Sequence, residues 1–155
     1  MGIDGCSAPN YALSLGALGR GADRLASAQA NDGEFDAALC RLRDAMLVHP
    51  VLVSGQGRLD FALARAFPNR VVSKGGAEGI QLIAFTEPRV SIAIKIHDGA
   101  SRALGPVCYA VLEQLGLLTD AARTKLAEYA QPELRNARDR VTGHVRAVLR
   151  LAETS

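Results

Sequence analysis

The sequence has 155 residues and a mass of 16.4 kDa, a size that fits one domain and excludes two complete ones. Hydrophobic residues make up 48% and charged residues 22%, a balance typical of a chain that packs a core. The net charge is +2, the basic residues are spread along the chain, and only 5% of residues are aromatic. A nucleic-acid partner is not expected, because its interface needs a basic patch, usually with aromatic side chains that stack on bases.

The lack of a recognisable targeting signal and the cysteine usage both predict a cytoplasmic protein without a membrane partner. No apolar run approaches the roughly 18–20 residues of a membrane span, and the first residues lack the basic start and apolar stretch of a signal peptide. The three cysteines, Cys6, Cys40 and Cys108, are an odd number at wide spacings, which argues against a disulfide framework. Cys40 and Cys108 lie in stretches with helical spacing, so we expect them to be small buried side chains.

The first half of the chain predicts loops and helices. Residues 1–10 are rich in glycine and small residues and predict a loop or turn. Residues 13–28 predict a helix in their second half, because three glycines weaken the first half. A second helix, capped by Asn31 or Asp32, ends before Pro50. Its apolar face consists of Phe35, Leu39, Leu42 and Met46. A third helix presents Leu59, Leu63 and Phe67 and stops at Pro68.

The spacing of the apolar residues then changes from helical to strand-like, and three strands are predicted. They are Val71–Ser73, the continuous apolar run Ile80–Phe85, and an alternating stretch from Val90 to Ile96, with a hairpin at 87–89. Helical spacing returns from Val107 to Leu118, and again from the Thr119–Asp120 cap to Tyr129. Residues 141–151 fit a helix or a strand, and we favour a strand that completes the sheet. This order predicts an α+β fold, an antiparallel sheet flanked by helices.

The glycine-rich segment at 72–79, Val-Ser-Lys-Gly-Gly-Ala-Glu-Gly, is the densest local group of residues that could form a functional site. Gly75 and Gly76 follow Lys74 and leave the backbone without side chains, so a ligand or a neighbouring strand can approach closely. A lysine held there can carry a proton, or it can supply a fixed positive charge to a carboxylate or an oxyanion. From this segment alone, the alternative is a glycine turn with a solvated lysine.

Two further segments contain candidate side chains. Cys6 lies in a polar glycine loop after Asp4, where it is either a metal ligand or nucleophile oriented by Asp4, or an inert thiol. Arg58 follows a glycine turn at the start of a helix, where the helix dipole disfavours a positive charge. A substrate or a partner carboxylate can hold Arg58 there, and so can a surface ion pair with Asp60.

Five motifs occur in a fixed order along the chain. They are Asp-Gly-Cys-Ser-Ala-Pro at 4–9, Met46 with His49-Pro50, Gly-Gln-Gly-Arg-Leu-Asp at 55–60, Lys-Gly-Gly-Ala-Glu-Gly at 74–79, and Ile-Lys-Ile-His-Asp-Gly at 94–99. Together, from Gly2 to about Leu118, they resemble the L-asparaginase II family of rhizobial-type asparaginases. The resemblance implies a fold similar to serine β-lactamases and penicillin-binding proteins, and hydrolysis of L-asparagine to L-aspartate and ammonia.

The resemblance also implies roles for particular residues. In the family a lysine activates a serine nucleophile, and a strand lysine, which corresponds to Lys74, pairs with a second serine. The family binds zinc beside its active site through a Cys-Ser-Gly-Lys motif and through the cysteine of Asp-Gly-Cys, which corresponds to Cys6, supported by Asp4. Arg58 and Glu78 receive a substrate-positioning role only.

The sequence departs from the family in what it lacks. No serine or threonine among the 155 residues has a lysine three positions later, and no Cys-Ser-Gly-Lys occurs. Residues 1–155 are therefore predicted to be one incomplete asparaginase II-like domain, corresponding to the C-terminal half, inactive alone and without the several ligands that zinc affinity requires. The alternative is a non-enzymatic binding or assembly module, a homodimer or one half of a split asparaginase. A third reading is an unrelated α+β domain with coincidental motifs.

Overall fold

A computed structural model of the chain describes residues 1–153 and has helices on both faces of a three-stranded antiparallel sheet. The first half contains β1 (Gly2–Ile3), β2 (Pro9–Asn10), α1 (Leu15–Ser27), α2 (Glu34–Val48), α3 (Pro50–Ser54) and α4 (Leu59–Ala66). The sheet follows in the order β3 (Val71–Gly76), β4 (Ile80–Phe85) and β5 (Val90–Lys95). The last elements are a 3-10 turn at Ser101–Ala103, α5 (Leu104–Gln114), α6 (Asp120–Lys125), α7 (Ala127–Ala130), β6 (Glu133–Arg135) and β7 (Val141–His144). The predicted α+β class is confirmed.

Helix α1 is longer than predicted and includes the glycines of its first half. It begins after Ser14, whose hydroxyl accepts a hydrogen bond from the Ala17 N–H at 3.2 Å. Gly19 faces strand β5: a Cβ atom there would lie 3.7 Å from the Ala93 Cβ atom and 3.9 Å from the Ser91 hydroxyl. The glycine therefore lets the helix lie close against the sheet, and packing outweighs its low helix propensity.

Helix α2 differs from its prediction in its start and in its buried side. The cap is Gly33, with φ of 117°, and not Asn31 or Asp32, because this backbone conformation favours glycine. Phe35 and Leu42 of the predicted apolar face are 61% and 51% exposed. Met46 of that face does pack against the core, and the fully buried position of the helix is Cys40, whose thiol donates to the Ala28 carbonyl at 3.0 Å.

Both faces of the sheet are buried, and its antiparallel register determines which residues share a face. Ile83 on the central strand pairs with Ser73 on one side and with Ile92 on the other, and the predicted hairpin closes where Phe85 pairs with Val90. One face packs against α4, α5 and α6 through the fully buried Ile83, Leu63 and Leu112. The opposite face places Val72 and Ala84 against Ala26 of α1. The core therefore lies in two layers, one on each side of the sheet.

The strand favoured over residues 141–151 is present only at Val141–His144, the residues after it up to 151 are neither helix nor strand, and its predicted pairing is wrong. Strand β7 forms a separate two-stranded sheet with β6, in which Glu133 pairs with His144, and so does not complete the central sheet. The local turn decides this, because the Asn136 side chain accepts hydrogen bonds from the N–H groups of Arg138 and Arg140. The helix predicted to run to Tyr129 is interrupted at Leu126.

The predicted Thr119 cap is present, since its hydroxyl accepts from the Ala122 N–H at 3.2 Å. Within residues 1–153, none of the helices combines the length and the apolar character that crossing a membrane requires.

The core assignment predicts how two leucine substitutions differ. Leu63→Ala removes a side chain that is fully buried against the sheet, so we expect it to lower the free energy of unfolding by about 2–5 kcal/mol. Leu52→Ala, its matched control, changes a side chain that is 82% exposed, and we expect a change within about 0.5 kcal/mol. Urea denaturation monitored by circular dichroism measures both, and equal losses in the two variants would contradict the assigned core.

Candidate active site

An open cleft lies where the start of helix α4 meets the end of strand β3. Its volume is about 860 Å³, and its other walls come from the segments at 101–106 and 128–132. Charged and polar side chains along it include those of Arg58, Asp60, Lys74, Gln81, Arg102 and Glu128. Two of the residues singled out from sequence, Arg58 and Lys74, therefore share one cleft.

A buried carboxylate forms the inner wall of this cleft. Asp60, in the first turn of α4, is 8% exposed and accepts hydrogen bonds from the Ser73 hydroxyl at 2.7 Å and from the Gln81 amide at 2.6 Å. Its second oxygen accepts from the Gly75 N–H at 3.0 Å. The Gln81 amide also donates to the Ser73 hydroxyl at 2.8 Å, so the polar atoms of this cluster satisfy one another.

Lys74 lies beside this cluster on the exposed part of strand β3. Its ammonium donates to the Gly75 carbonyl at 2.7 Å. Among residues 1–153 no carboxylate forms an ion pair with it. Lys74 also borders a smaller apolar groove of about 250 Å³ beneath α1, lined by Leu13, Leu18, Leu25, Met46, Val72 and Leu82. Lys74 therefore lies at the border of the cleft and of this groove.

The two arginines of the cleft differ in their electrostatic surroundings. Arg102 is paired with Asp98 at 2.5 Å, and the Ala100 N–H and then Arg102 hold the pKa of Asp98 below its ordinary value. Arg58 stands at the N-cap position of α4, and within the described part of the chain it has no ion pair, including with Asp60. The surface pair of Arg58 with Asp60 considered from the sequence is therefore wrong, because Asp60 turns inward.

The wall formed by Tyr129 is neutral. Burial, and then the neighbouring Glu128, raise the pKa of the Tyr129 phenol above its ordinary value. Gly105 permits this packing, since a Cβ atom there would lie 3.0 Å from the Tyr129 ring. Tyr129 therefore contributes shape and a neutral surface rather than a base.

Comparison with known proteins identifies the family of this chain. The model of the L-asparaginase II family matches residues 1–147. The chain belongs to the L-asparaginase II family. A comparison with curated proteins found no match. Family membership agrees with the resemblance carried by the five motifs.

Glu78 of this L-asparaginase II family chain lies outside the cleft. It occupies the turn between β3 and β4 with φ of 61°, and its side chain is directed toward Gly99, where an added Cβ atom would lie 3.5 Å from the carboxylate. The Glu78 backbone carbonyl accepts a hydrogen bond from the Lys95 ammonium. Glu78 is therefore not among the residues that line the cleft with Lys74 and Arg58.

Cys6 and Asp4 also lie apart from the cleft, in an exposed turn between β1 and β2. The Cys6 thiol lies 3.7 Å from one Asp4 oxygen, and the other oxygen accepts from the Gly5 N–H at 2.7 Å. Over residues 1–153 no three His, Cys, Asp or Glu side chains form a group able to hold a metal ion. The two donors on their own do not fit a zinc site, which needs about four ligands.

The sequence motifs missed two members of the cluster around Asp60. Gln81 is 2% exposed and lies in the stretch that was predicted as a continuous apolar run, and Ser73 is 7% exposed. A lone amide between Ile80 and Leu82 is the signal that points to them, because a buried polar side chain requires a partner.

The cysteine environments predict a selective thiol reaction. Cys6 is exposed, whereas Cys40 and Cys108 are buried as expected from their helical spacing. Burial, and then the negative charge of Asp60, raise the pKa of the Cys108 thiol to about 12, so it stays protonated at neutral pH. We expect an aromatic disulfide reagent to modify one thiol per native chain and all three in denaturant. The native reaction disappears in Cys6→Ser; its persistence in that variant would contradict the assignment.

Proposed function

We propose that this chain supplies part of an asparaginase active site, in which L-asparagine is hydrolysed to L-aspartate and ammonia. The observation that carries the proposal is the family match over residues 1–147. The placement of Lys74 and Arg58 in one cleft supports it, because the two side chains, which form no ion pair among residues 1–153, bring positive charge to a site large enough for an amino acid.

Lys74 is the proposed catalytic residue. In hydrolysis by a serine nucleophile, the hydroxyl oxygen bonds to the amide carbon, its proton passes to a base, and the C–N bond breaks when ammonia leaves with a proton. Water then hydrolyses the acyl ester and restores the serine. A lysine amine can carry these protons, or its ammonium can stabilise the oxyanion. Arg58 and Glu78 are proposed to position the substrate, Glu78 only if its turn moves toward the cleft.

The nucleophile is proposed to come from a polypeptide segment other than these 155 residues. Among them no Ser-x-x-Lys occurs, and Ser73 is buried in hydrogen bonds to Asp60 and Gln81. We therefore propose that the sheet and its helices form one portion of a serine β-lactamase-like fold, inactive by itself. In the same way Cys6, supported by Asp4, is proposed to contribute one zinc ligand to a set completed by that other segment.

A second candidate function is assembly without catalysis. It is favoured by apolar side chains at the surface of α2 and α3, where Val48 is 65% and Leu52 is 82% exposed. Exposed apolar side chains that form a patch mark interaction sites in soluble proteins. The partner is then either a second copy of the chain or the segment that carries the nucleophile.

Ammonia release tests the catalytic proposal. The purified chain is assayed with L-asparagine alone and together with a separately expressed segment of an L-asparaginase II family member that contains Ser-x-x-Lys and Cys-Ser-Gly-Lys. We expect no release by the chain alone and release by the mixture. Lys74→Gln lowers the kcat of the mixture at least a hundredfold, since proton transfer contributes on the order of 10²–10⁴ in rate.

The matched control is Lys125→Gln, which removes a lysine that donates to the Arg65 carbonyl outside the cleft. We expect its kcat to stay within twofold of the parent value. Ammonia release by the chain alone that depends on Lys74 would overturn the proposed incompleteness, and equal rates for the two variants would overturn the role of Lys74.

Light scattering tests the assembly candidate. We expect a mass above 16.4 kDa for the chain alone or a complex with the added segment, because association covers the apolar surface of α2 and α3. Leu52→Glu places a charge on that surface and shifts the mass toward the monomer. A monodisperse monomer that does not bind the segment would count against assembly.

A further inference from the structure

We propose that Asp60 is the positioning residue for Lys74, acting through the backbone of Gly75; the inference rests on the proposed catalytic role of Lys74. Asp60 accepts the Gly75 N–H at 3.0 Å, and the carbonyl of the same glycine accepts the Lys74 ammonium at 2.7 Å. One residue, Gly75, is thus held at its N–H by the carboxylate and contacts the ammonium at its carbonyl.

The orientation of Lys74 depends on this contact because the ammonium has no competing ion pair among residues 1–153. The direction of the Gly75 carbonyl follows from the backbone of strand β3, and a rotation there moves the acceptor of the ammonium. Asp60 fixes that backbone from helix α4, 15 residues earlier in the chain. The buried Asp60 carboxylate therefore acts on the exposed ammonium through Gly75, without contacting it.

The Asp60 carboxylate is itself held in place by other contacts. Asp60 is 8% exposed, and Ser73 and Gln81 occupy its other oxygen at 2.7 and 2.6 Å. Gly75 packs closely against both partners, since a Cβ atom there would lie 3.3 Å from the Gln81 amide oxygen and 3.4 Å from the Asp60 carboxylate. A side chain at 75 would press the carboxylate away from the N–H that it holds.

Nuclear magnetic resonance of the full chain tests this inference without requiring activity. The chain has only three lysines, Lys74, Lys95 and Lys125, so reductive methylation with ¹³C-formaldehyde gives a simple spectrum, which Lys74→Arg assigns. We expect resolved methyl signals for Lys74 in the parent chain, because a held dimethylammonium places its two methyl groups in different surroundings. In Asp60→Asn these signals merge, while those of Lys95 and Lys125 are unchanged.

Amide hydrogen exchange adds a second measurement on the same protein. Loss of a hydrogen bond to a carboxylate should speed exchange at the Gly75 N–H about tenfold or more in Asp60→Asn. Asp36→Asn is the matched control, because it removes a carboxylate paired with Arg24 at 3.1 Å outside the cleft. We expect no change at Gly75 or Lys74 in that control.

Gly75→Ala and Gly76→Ala keep the test decisive if Asp60→Asn destabilises the fold. The added methyl at 75 presses on Asp60 and Gln81, whereas at 76 its nearest neighbour is the Ile80 Cβ atom at 3.4 Å. We expect only Gly75→Ala to merge the Lys74 signals. The inference is overturned if Lys74 signals stay resolved in both Asp60→Asn and Gly75→Ala, or if all three lysines change together.

Kinetics separate this inference from the proposed function. In the mixture that releases ammonia, Asp60→Asn should lower kcat at least tenfold and change KM less than threefold, because a misplaced ammonium affects the reacting groups more than binding. A large rise in KM with kcat unchanged would contradict positioning. If no mixture releases ammonia, the asparaginase proposal fails, whereas the resonance and exchange results still decide whether Asp60 orients Lys74.

Discussion

A buried carboxylate joins the first turn of helix α4 to the middle of strand β3, and the cleft is arranged around it. Removing the Asp60 carboxylate from water costs several kcal/mol, and hydrogen bonds to a charged group contribute about 1.5–3 kcal/mol each when well made. Three groups donate to Asp60, from Ser73, Gly75 and Gln81. The cost is offset only while all three stay in place, so the helix and the strand cannot shift independently.

The charges of the cleft are distributed unevenly around this carboxylate. Asp60 is occupied on the inner side, Arg102 is paired with Asp98, and Arg58 and Lys74 remain the positive groups without an ion pair in the described residues. A ligand with a carboxylate or a developing oxyanion matches that arrangement, and the proposed hydrolysis of L-asparagine involves both. The positioned charges therefore lie in this chain, and the reactive hydroxyl is what the proposed function requires from elsewhere.

Some local features of the fold could be predicted from the sequence, whereas the partners of Asp60 could not. The hairpin at 87–89 and the end of α4 before Pro68 follow from residues next to one another in sequence. The partners of Asp60 are 13, 15 and 21 residues away, so no local spacing indicates them. The pair of Arg58 with Asp60 was a natural expectation for neighbours, yet side chains two positions apart on a helix do not face each other.

The surface proposed for assembly is connected to the cleft by a short piece of backbone. Helix α3 carries Leu52 and is capped by Gly55, and the turn through Gly57 leads directly to Arg58 at the cleft. Both glycines have positive φ, 84° and 74°, so the turn geometry is one that other residues adopt at a cost. A partner that covers α3 would therefore restrict the segment that presents Arg58. The proposed assembly through α3 and the proposed positioning of substrate by Arg58 would then depend on the same contact, and the catalytic and assembly candidates need not exclude each other.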